Sequence, residues 1–439
     1  MRKRFESIRR AASDDPAWFC FLMFAGAAML SLPLARLFLG LSLFFTIRAK
    51  TRLRMTPPAW GWIAYLVLAI VVTAAVAAAN TPWGVEHGFL EKVDKYIEPA
   101  KGLRKTTKLL WYVSIPVAAT LVNSRKRLRS VIGAMLAGGT ALALWTVLVN
   151  PVIALMQTYW HPSCGFIDKL LSSRIWHTPD GRPISIHHAL PYLGTMHDAQ
   201  RLMVTLVCGA CAMAATHREG GPWHRQAVAI AISAIALVVT CKRGPLVIGA
   251  CVAFAVLVTE FRPWRILPFA VLLACAALAV PTTRARFAAL PREFDPANSG
   301  RAAMWTIVVP RLHQQYPYGI GFRSLTARKM RRTSKQVEKH RNHVHSSPLQ
   351  AFVDLSWAGV AVWLFWMGAA TACAVRMSRV FPPLSAAPLC ALSALIVFSL
   401  VEYNLADGAV IPLYGLAMGI ASAKGVAKTK DSPTEIAQG

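Results

Sequence analysis

The sequence predicts an all-α polytopic membrane protein with about twelve transmembrane helices, and three observations predict it. Of 439 residues, 55% are hydrophobic and 15% charged, too little polar surface for the two or three soluble domains that this length would otherwise suggest. The mean hydropathy is +0.44. Apolar runs recur from about residue 17 to residue 423, each near the ~20 residues a helix needs to cross about 30 Å of hydrocarbon. A single anchored globular domain is excluded.

The first apolar stretch, Ala17 to Ile47, is too long for one span and short for two. Basic residues crowd both of its flanks, so both ends favour the cytoplasm and the stretch is expected to be a tight helical hairpin with Arg36 at its outer turn. No small-residue cleavage signal follows it, so it reads as a retained helix. Further spans are expected near residues 59–79, 108–123, 131–156, 200–216, 226–241, 244–261, 266–281, 350–373, 384–402 and 408–423. The turns this assigns to the inside carry Arg125, Lys126, Arg127 and Arg129, then Arg218 and Arg225, Arg262 and Arg265, and Arg376 and Arg379, the bias of cytoplasmic loops. Both termini are expected inside. Residues 1–281 then hold nine spans and two shorter outer loops, 282–349 a large basic outer loop with short helices, 350–423 three spans, and 424–439 a polar tail.

Lys and Arg number 48 against 20 Asp and Glu, for a net charge of +28. Part of the excess is topology, and the rest asks for an anionic partner. Nucleic acid is not among the expected partners. The loop 282–349 holds thirteen Lys and Arg but only Glu293, Asp295 and Glu338 as acids. A solvated basic surface explains part of this, and an external basic loop beside a bilayer suits capture of a phosphate-bearing lipid or glycolipid. Of nine cysteines, Cys20, Cys208, Cys211, Cys251, Cys275, Cys373 and Cys390 lie in apolar runs and read as small core hydrophobes. Cys164 lies in a polar loop and Cys241 at a helix end, so no disulfide framework or CxxC metal site is indicated.

Within the loop, Met304, Val308 and Leu312 fall on one helical stripe of GRAAMWTIVVPRLHQQ, expected to lie apolar face down at the outer interface. In YPYGIGF, Gly319 and Gly321 allow a tight turn, either structural or beside a phosphate or sugar, and Arg323 follows. A basic stretch leads to NHVHSSPLQAFVDLSWAGVAV, where His343 and His345 stand just ahead of a new span. An imidazole there needs a hydrogen-bond partner and suits proton transfer near neutral pH. A surface or capping histidine is the plainer alternative, and a metal cluster with His340 the less favoured one. Lys242 and Arg243 in TCKRGPLVIG, like Arg36, sit at ends of short turns, where they either snorkel to headgroups or converge on a diphosphate. Glu293 and Asp295 read as loop charge, while Glu402, Asn404 and Asp407 cluster at an outer helix end, suited to sugar hydroxyls or an arginine. No Walker loop, G-x-S-x-G elbow or HExxH occurs, so energy must come with the substrate.

Four features together resemble the O-antigen ligase family, which shares a region with O-antigen polymerases and protein O-oligosaccharyltransferases. They are CKRGPLVIG around Arg243, RAAMW from Arg301 to Trp305, YPYGIGF, and HVHSSPLQAFVDLSWAG with His345 ahead of Leu349, Gln350 and Gly359. They span roughly residues 240 to 365, and the span layout extends the likeness to the whole chain. The family commonly has Asn after its second histidine, where this chain has Ser346; the spacing to Leu349 and Gln350 favours His345 over His343.

The resemblance implies a glycosyltransferase C-like fold in the bacterial inner membrane, with the large loop and active site in the periplasm. It implies transfer of a glycan from undecaprenyl diphosphate to a sugar hydroxyl of lipid A-core. His345 is then the expected general base. Arg243, Arg301, Arg36 and Arg323 are the expected diphosphate ligands, acting without a metal or other cofactor. His343, Lys242, Gly319 and Gly321 are expected to contact substrate. A polymerase or protein ligase of the same fold, or a transporter of a lipid-linked glycan, remains open on the residues alone.

Overall fold

The computed structural model describes residues 13–79, 97–160, 196–240, 242–279, 281–293, 300–334, 342–423 and 426, with the backbone alone for 149–160 and several of 281–300. His340, Cys164, Cys241, Glu338, Asp295, the basic residues 335, 339 and 341, most of the outer loop 157–199, the N-terminal basic run and the tail lie outside the described residues, as does the side chain of Glu293.

Helices build the fold, with one isolated antiparallel bridge between Ile97 and Leu325 and no strand among the described residues. Helices α1 (Pro16–Leu30) and α2 (Leu32–Arg48) are separated by Ser31 alone. Its extended backbone, with Pro33 just beyond, ends one helix and starts the next. Ser42 Oγ donates to the Ala17 carbonyl at 2.9 Å, so the two helices fold back on each other as a hairpin. Arg36 sits one turn into α2 rather than in the turn itself.

There follow α3 (Pro57–Ala79), α4 (Pro99–Thr106), a 3-10 segment Thr107–Val113 and α5 (Ser114–Leu121). Where one regular span was expected over 108–123, the chain therefore changes helix type. Pro116 is the local reason, since it donates no N–H and its ring crowds the carbonyl four residues back. Next come α6 (Arg125–Trp160), α7 (Met196–Arg218), α8 (His224–Val239), α9 (Arg243–Leu257), α10 (Pro263–Ala279), α11 (Pro281–Ala288) and α12 (Leu290–Glu293). α13 (Gly300–Ala303) runs through a π-helical turn at Met304–Val308 into α14 (Val309–Gln315), followed by α15 (Ala327–Thr333), α16 (Ser347–Ser378), α17 (Ala387–Val401) and α18 (Ile411–Ala421).

Among the described residues, five helices are long and apolar enough to cross a membrane: α3, α6 over Arg125–Leu148, α7, α16, and Leu384–Val401, which includes α17. α1, α8, α9, α10 and α18 are apolar but shorter. Phe44, Trp60, Phe269, Leu272, Leu364 and Phe365 present their side chains outward, which suits hydrocarbon and not water. The chain is a helical membrane protein. α7 is its central post, buried from Asp198 to Ala215 and packed by α6, α8, α9 and α17. A Cβ on Gly138 of α6 would stand 2.1 Å from the Gly26 carbonyl of α1, so these helices touch backbone to backbone.

The stripe Met304, Val308 and Leu312 does share one face, but that face is buried within the protein. It packs with Val76, Ile97, Ile320, Leu325, Met330, Val344 and Val353 in a separate small core. The expectation of a helix resting on lipid is corrected: the loop supplies enough apolar side chains, together with the ends of α3 and α16, to bury its own stripe.

Candidate active site

The segment 402–410, between α17 and α18, collects the polar groups. Asn404 Oδ1 accepts from Ser347 Oγ at 3.2 Å and from the Tyr414 hydroxyl at 3.1 Å, and the Tyr112 hydroxyl donates to the Leu405 carbonyl at 2.8 Å. Each bond satisfies a buried polar group, so the segment is held from three helices.

At its first residue, Glu402 Oε1 accepts from His345 Nδ1 at 2.8 Å, and Oε2 lies 3.3 Å from Arg301 Nη2. His343 Nε2 lies 3.6 Å from the same Oε1, and the His343 and His345 rings are 4.3 Å apart. Burial pushes the Glu402 carboxyl up, but the nearby His343, the bond from His345 and the Arg301 charge outweigh it and hold it well below the usual range. An ionised carboxylate only accepts, so His345 carries its proton on Nδ1, and Nε2 is the nitrogen suited to take one. His345 is buried and has φ +51°, a left-handed conformation uncommon for a residue with a Cβ. Ser346 starts α16 directly after it, and Trp305 Nε1 donates to the Val344 carbonyl at 2.7 Å, so α13 and α14 buttress the turn.

A buried polar chain connects this turn to Arg323. The Val344 amide donates to Gln350 Oε1 at 2.9 Å, Gln350 Nε2 donates to Asp354 Oδ1 at 2.7 Å, and the Arg323 amide donates to Asp354 Oδ2 at 2.9 Å. α16 breaks two residues later, at Ser356 with φ +58°. The Ile320 and Gly321 amides donate to the carbonyls of Val353 and Asp354, at 3.1 and 2.9 Å. Gly319 and Gly321 are thus buried against the broken helix, at φ +93° and +86°; a Cβ on Gly319 would stand 2.5 Å from the Asp354 carbonyl oxygen.

Arg323 Nη1 donates to the Ala406 carbonyl at 2.9 Å, and its guanidinium lies 5.5 Å from the centre of the Tyr403 ring. Arg36 stacks over Trp111 at 5.1 Å and reaches Gly408. Asp407 bonds His197 Nε2 and accepts from the Ala409 amide at 3.0 Å. Burial raises Asp407, but the bond and charge of His197, the amide and the charge of Arg323 win, so it stays ionised below its ordinary range. Arg243 opens α9 with Lys242 as the extended residue before it, both half-buried. A Cβ on Gly244 would meet the Phe398 ring at 2.6 Å, which sets Arg243 against the last turn of α17, the helix that leads into Glu402.

Residues 228–364 match the model of the O-antigen ligase family. The comparison with curated proteins finds no match. The family match supports a glycosyltransferase-like membrane enzyme. The matched segment holds Arg243, Arg301, Arg323, His343 and His345, while Glu402, Asp407 and Arg36 lie outside it.

His343, His345 and Glu402 also place one ligand atom each within 4.8 Å of one another, which is room for a metal ion. The Arg301 guanidinium on the other oxygen of Glu402 opposes a second positive charge there. Sequence reasoning paired Glu402 with sugar or arginine but not with the histidines, and it missed Gln350 as a link, Asp354 and His197. Asp354 carried a signal, since a carboxylate inside an apolar helix marks a functional or structural polar contact.

Proposed function

We propose that this protein is an O-antigen ligase that transfers a glycan from undecaprenyl diphosphate to a sugar hydroxyl of lipid A-core. The reading places it in the bacterial inner membrane with about twelve spans, both termini cytoplasmic, and the 282–349 loop and the site facing the periplasm. The observation that carries it is the His345–Glu402 pair inside a cationic, half-buried cluster.

Glu402 fixes the tautomer of His345 and stabilises the imidazolium that forms. His345 Nε2 takes the proton of the acceptor hydroxyl as that oxygen attacks the anomeric carbon. The bond from that carbon to the diphosphate oxygen breaks, and its electron pair leaves with the diphosphate. Arg243, Arg36 and Arg323 supply positive charge for the leaving group without a metal, while Arg301 is engaged with Glu402. One in-line displacement inverts the anomeric centre, so an α-linked donor gives a β-linked product.

The test uses purified protein in detergent with undecaprenyl-diphosphate-linked glycan, lipid A-core and EDTA, scoring glycan-bearing lipid A by gel shift. Transfer is expected. Longer lipid-linked chains instead would show a polymerase, and no chemistry at all would point to a transporter.

A further inference from the structure

The four arginines expected at a diphosphate do not gather at one point. Arg301 lies on Glu402 beside His345. Arg36 and Arg323 stand at the other end of the 402–410 segment, one against Gly408 and one bonded to the Ala406 carbonyl. Lys108, half-buried on the 3-10 segment, completes this second group: three residues on, Trp111 carries the Arg36 guanidinium at 5.1 Å, and four on, the Tyr112 hydroxyl bonds the Leu405 carbonyl at 2.8 Å, which holds this turn against the same end of the 402–410 segment.

The charge here is unbalanced. Arg36 has a buried Nε, and among the described residues neither it nor Lys108 makes a hydrogen bond or a close ion pair. Asp407, the acid that Lys108 and Arg323 feel, is already bonded to His197. Arg36, Lys108 and Arg323, with Lys105 on the Arg323 carbonyl, outnumber Asp407 and Asp354, both already hydrogen-bonded; flanked by the Trp111 and Tyr403 rings, this excess of cations is unfavourable in a half-buried place until an anion joins it. The arrangement also suits in-line displacement, in which base and leaving group occupy opposite sides of the reacting carbon. Arg301 stands on the base's side, already engaged with Glu402.

We propose that Lys108, with Arg36 and Arg323, forms the station that receives the donor's diphosphate, and that Arg301 serves chiefly to position Glu402. This rests on the ligase reading above and sharpens it. Lys108 and Arg36 lie outside the matched segment; Lys108 is a binding residue that the sequence motifs do not reveal.

The experiment measures binding of farnesyl diphosphate and of inorganic diphosphate to the full chain in nanodiscs, beside the transfer assay. Lys108→Gln is expected to weaken both probes by about tenfold or more, the scale of a lost charge-assisted bond. Lys108→Arg should recover most of the loss, which a misfolded variant could not do. Arg301→Gln should leave farnesyl diphosphate affinity within about threefold while lowering kcat. Wild-type affinity in Lys108→Gln, or a loss confined to the prenyl probe, overturns the inference even where wild type transfers glycan. Lys108-dependent binding without transfer by wild type upholds the diphosphate station and sinks the ligase reading alone.

Discussion

Glu402 stands between His345 and Arg301, 2.8 Å from the imidazole Nδ1 and 3.3 Å from the guanidinium Nη2. The carboxylate aims the ring and Arg301 aims the carboxylate. Glu402→Gln keeps the size and one acceptor but removes the charge that stabilises the imidazolium. The expected result is a fall in kcat of about a hundredfold, within the range of acid–base contributions, with donor KM nearly unchanged. Steady-state kinetics check it; a change in KM alone would assign Glu402 to donor binding.

His345 and His343 share Glu402, but His345 is buried and closer while His343 is half-buried. His345→Ala is therefore expected to abolish transfer and leave donor binding mostly intact, whereas His343→Ala should retain measurable transfer. Arg243→Ala should weaken donor binding as well as rate. Parallel binding and turnover measurements separate the three, and equal loss of donor binding in His345→Ala and Arg243→Ala would end this division of labour.

Gly319 has φ +93° and no room for a side chain against the Asp354 carbonyl. Gly319→Ala is expected to destabilise by about 2 kcal/mol or more, from left-handed strain together with the clash. Thermal unfolding in detergent reads this directly, and a melting temperature equal to that of wild type would show that the 316–325 loop yields at no cost.

Lys105 donates to the Arg323 carbonyl at 2.9 Å. Burial, then repulsion from Arg323 and Lys101, lowers it to about 8. Between about pH 8 and the ordinary lysine value of ~10.4, the unfolded chain keeps a proton the folded chain has released, so stability contributed by this group rises with pH across that window. Lys105→Met should remove that rise. Melting curves at about pH 7.5 and 9.5 test it; the same pH dependence in variant and wild type would contradict it.

The helical, membrane-embedded character of the chain was legible because hydrophobic runs are a one-dimensional signal, whereas of the twelve spans expected, five described helices are long and apolar enough to cross a membrane. The α1–α2 hairpin followed from basic flanks around Pro33, and α16 was expected where it forms. The 3-10 segment before α5 was less legible, because one Pro116 in an apolar run does not announce a change of helix type. At the site, His345 and Arg301 stood in recognisable motifs, but their common partner Glu402 is 57 residues from His345. Only folding brings that distant carboxylate to the ring. Lys108 was hidden for the opposite reason: a lysine beside an apolar run reads as a snorkelling flank, and its neighbours Arg36 and Arg323 come from distant parts of the chain.

The central claim is that His345, oriented by Glu402, deprotonates the acceptor hydroxyl. The most direct measurement is single-turnover transfer with saturating lipid-linked donor and lipid A-core, comparing wild type with His345→Ala at equal donor occupancy. A fall of at least about a hundredfold with donor still bound is predicted. Transfer within about twofold of wild type would contradict it.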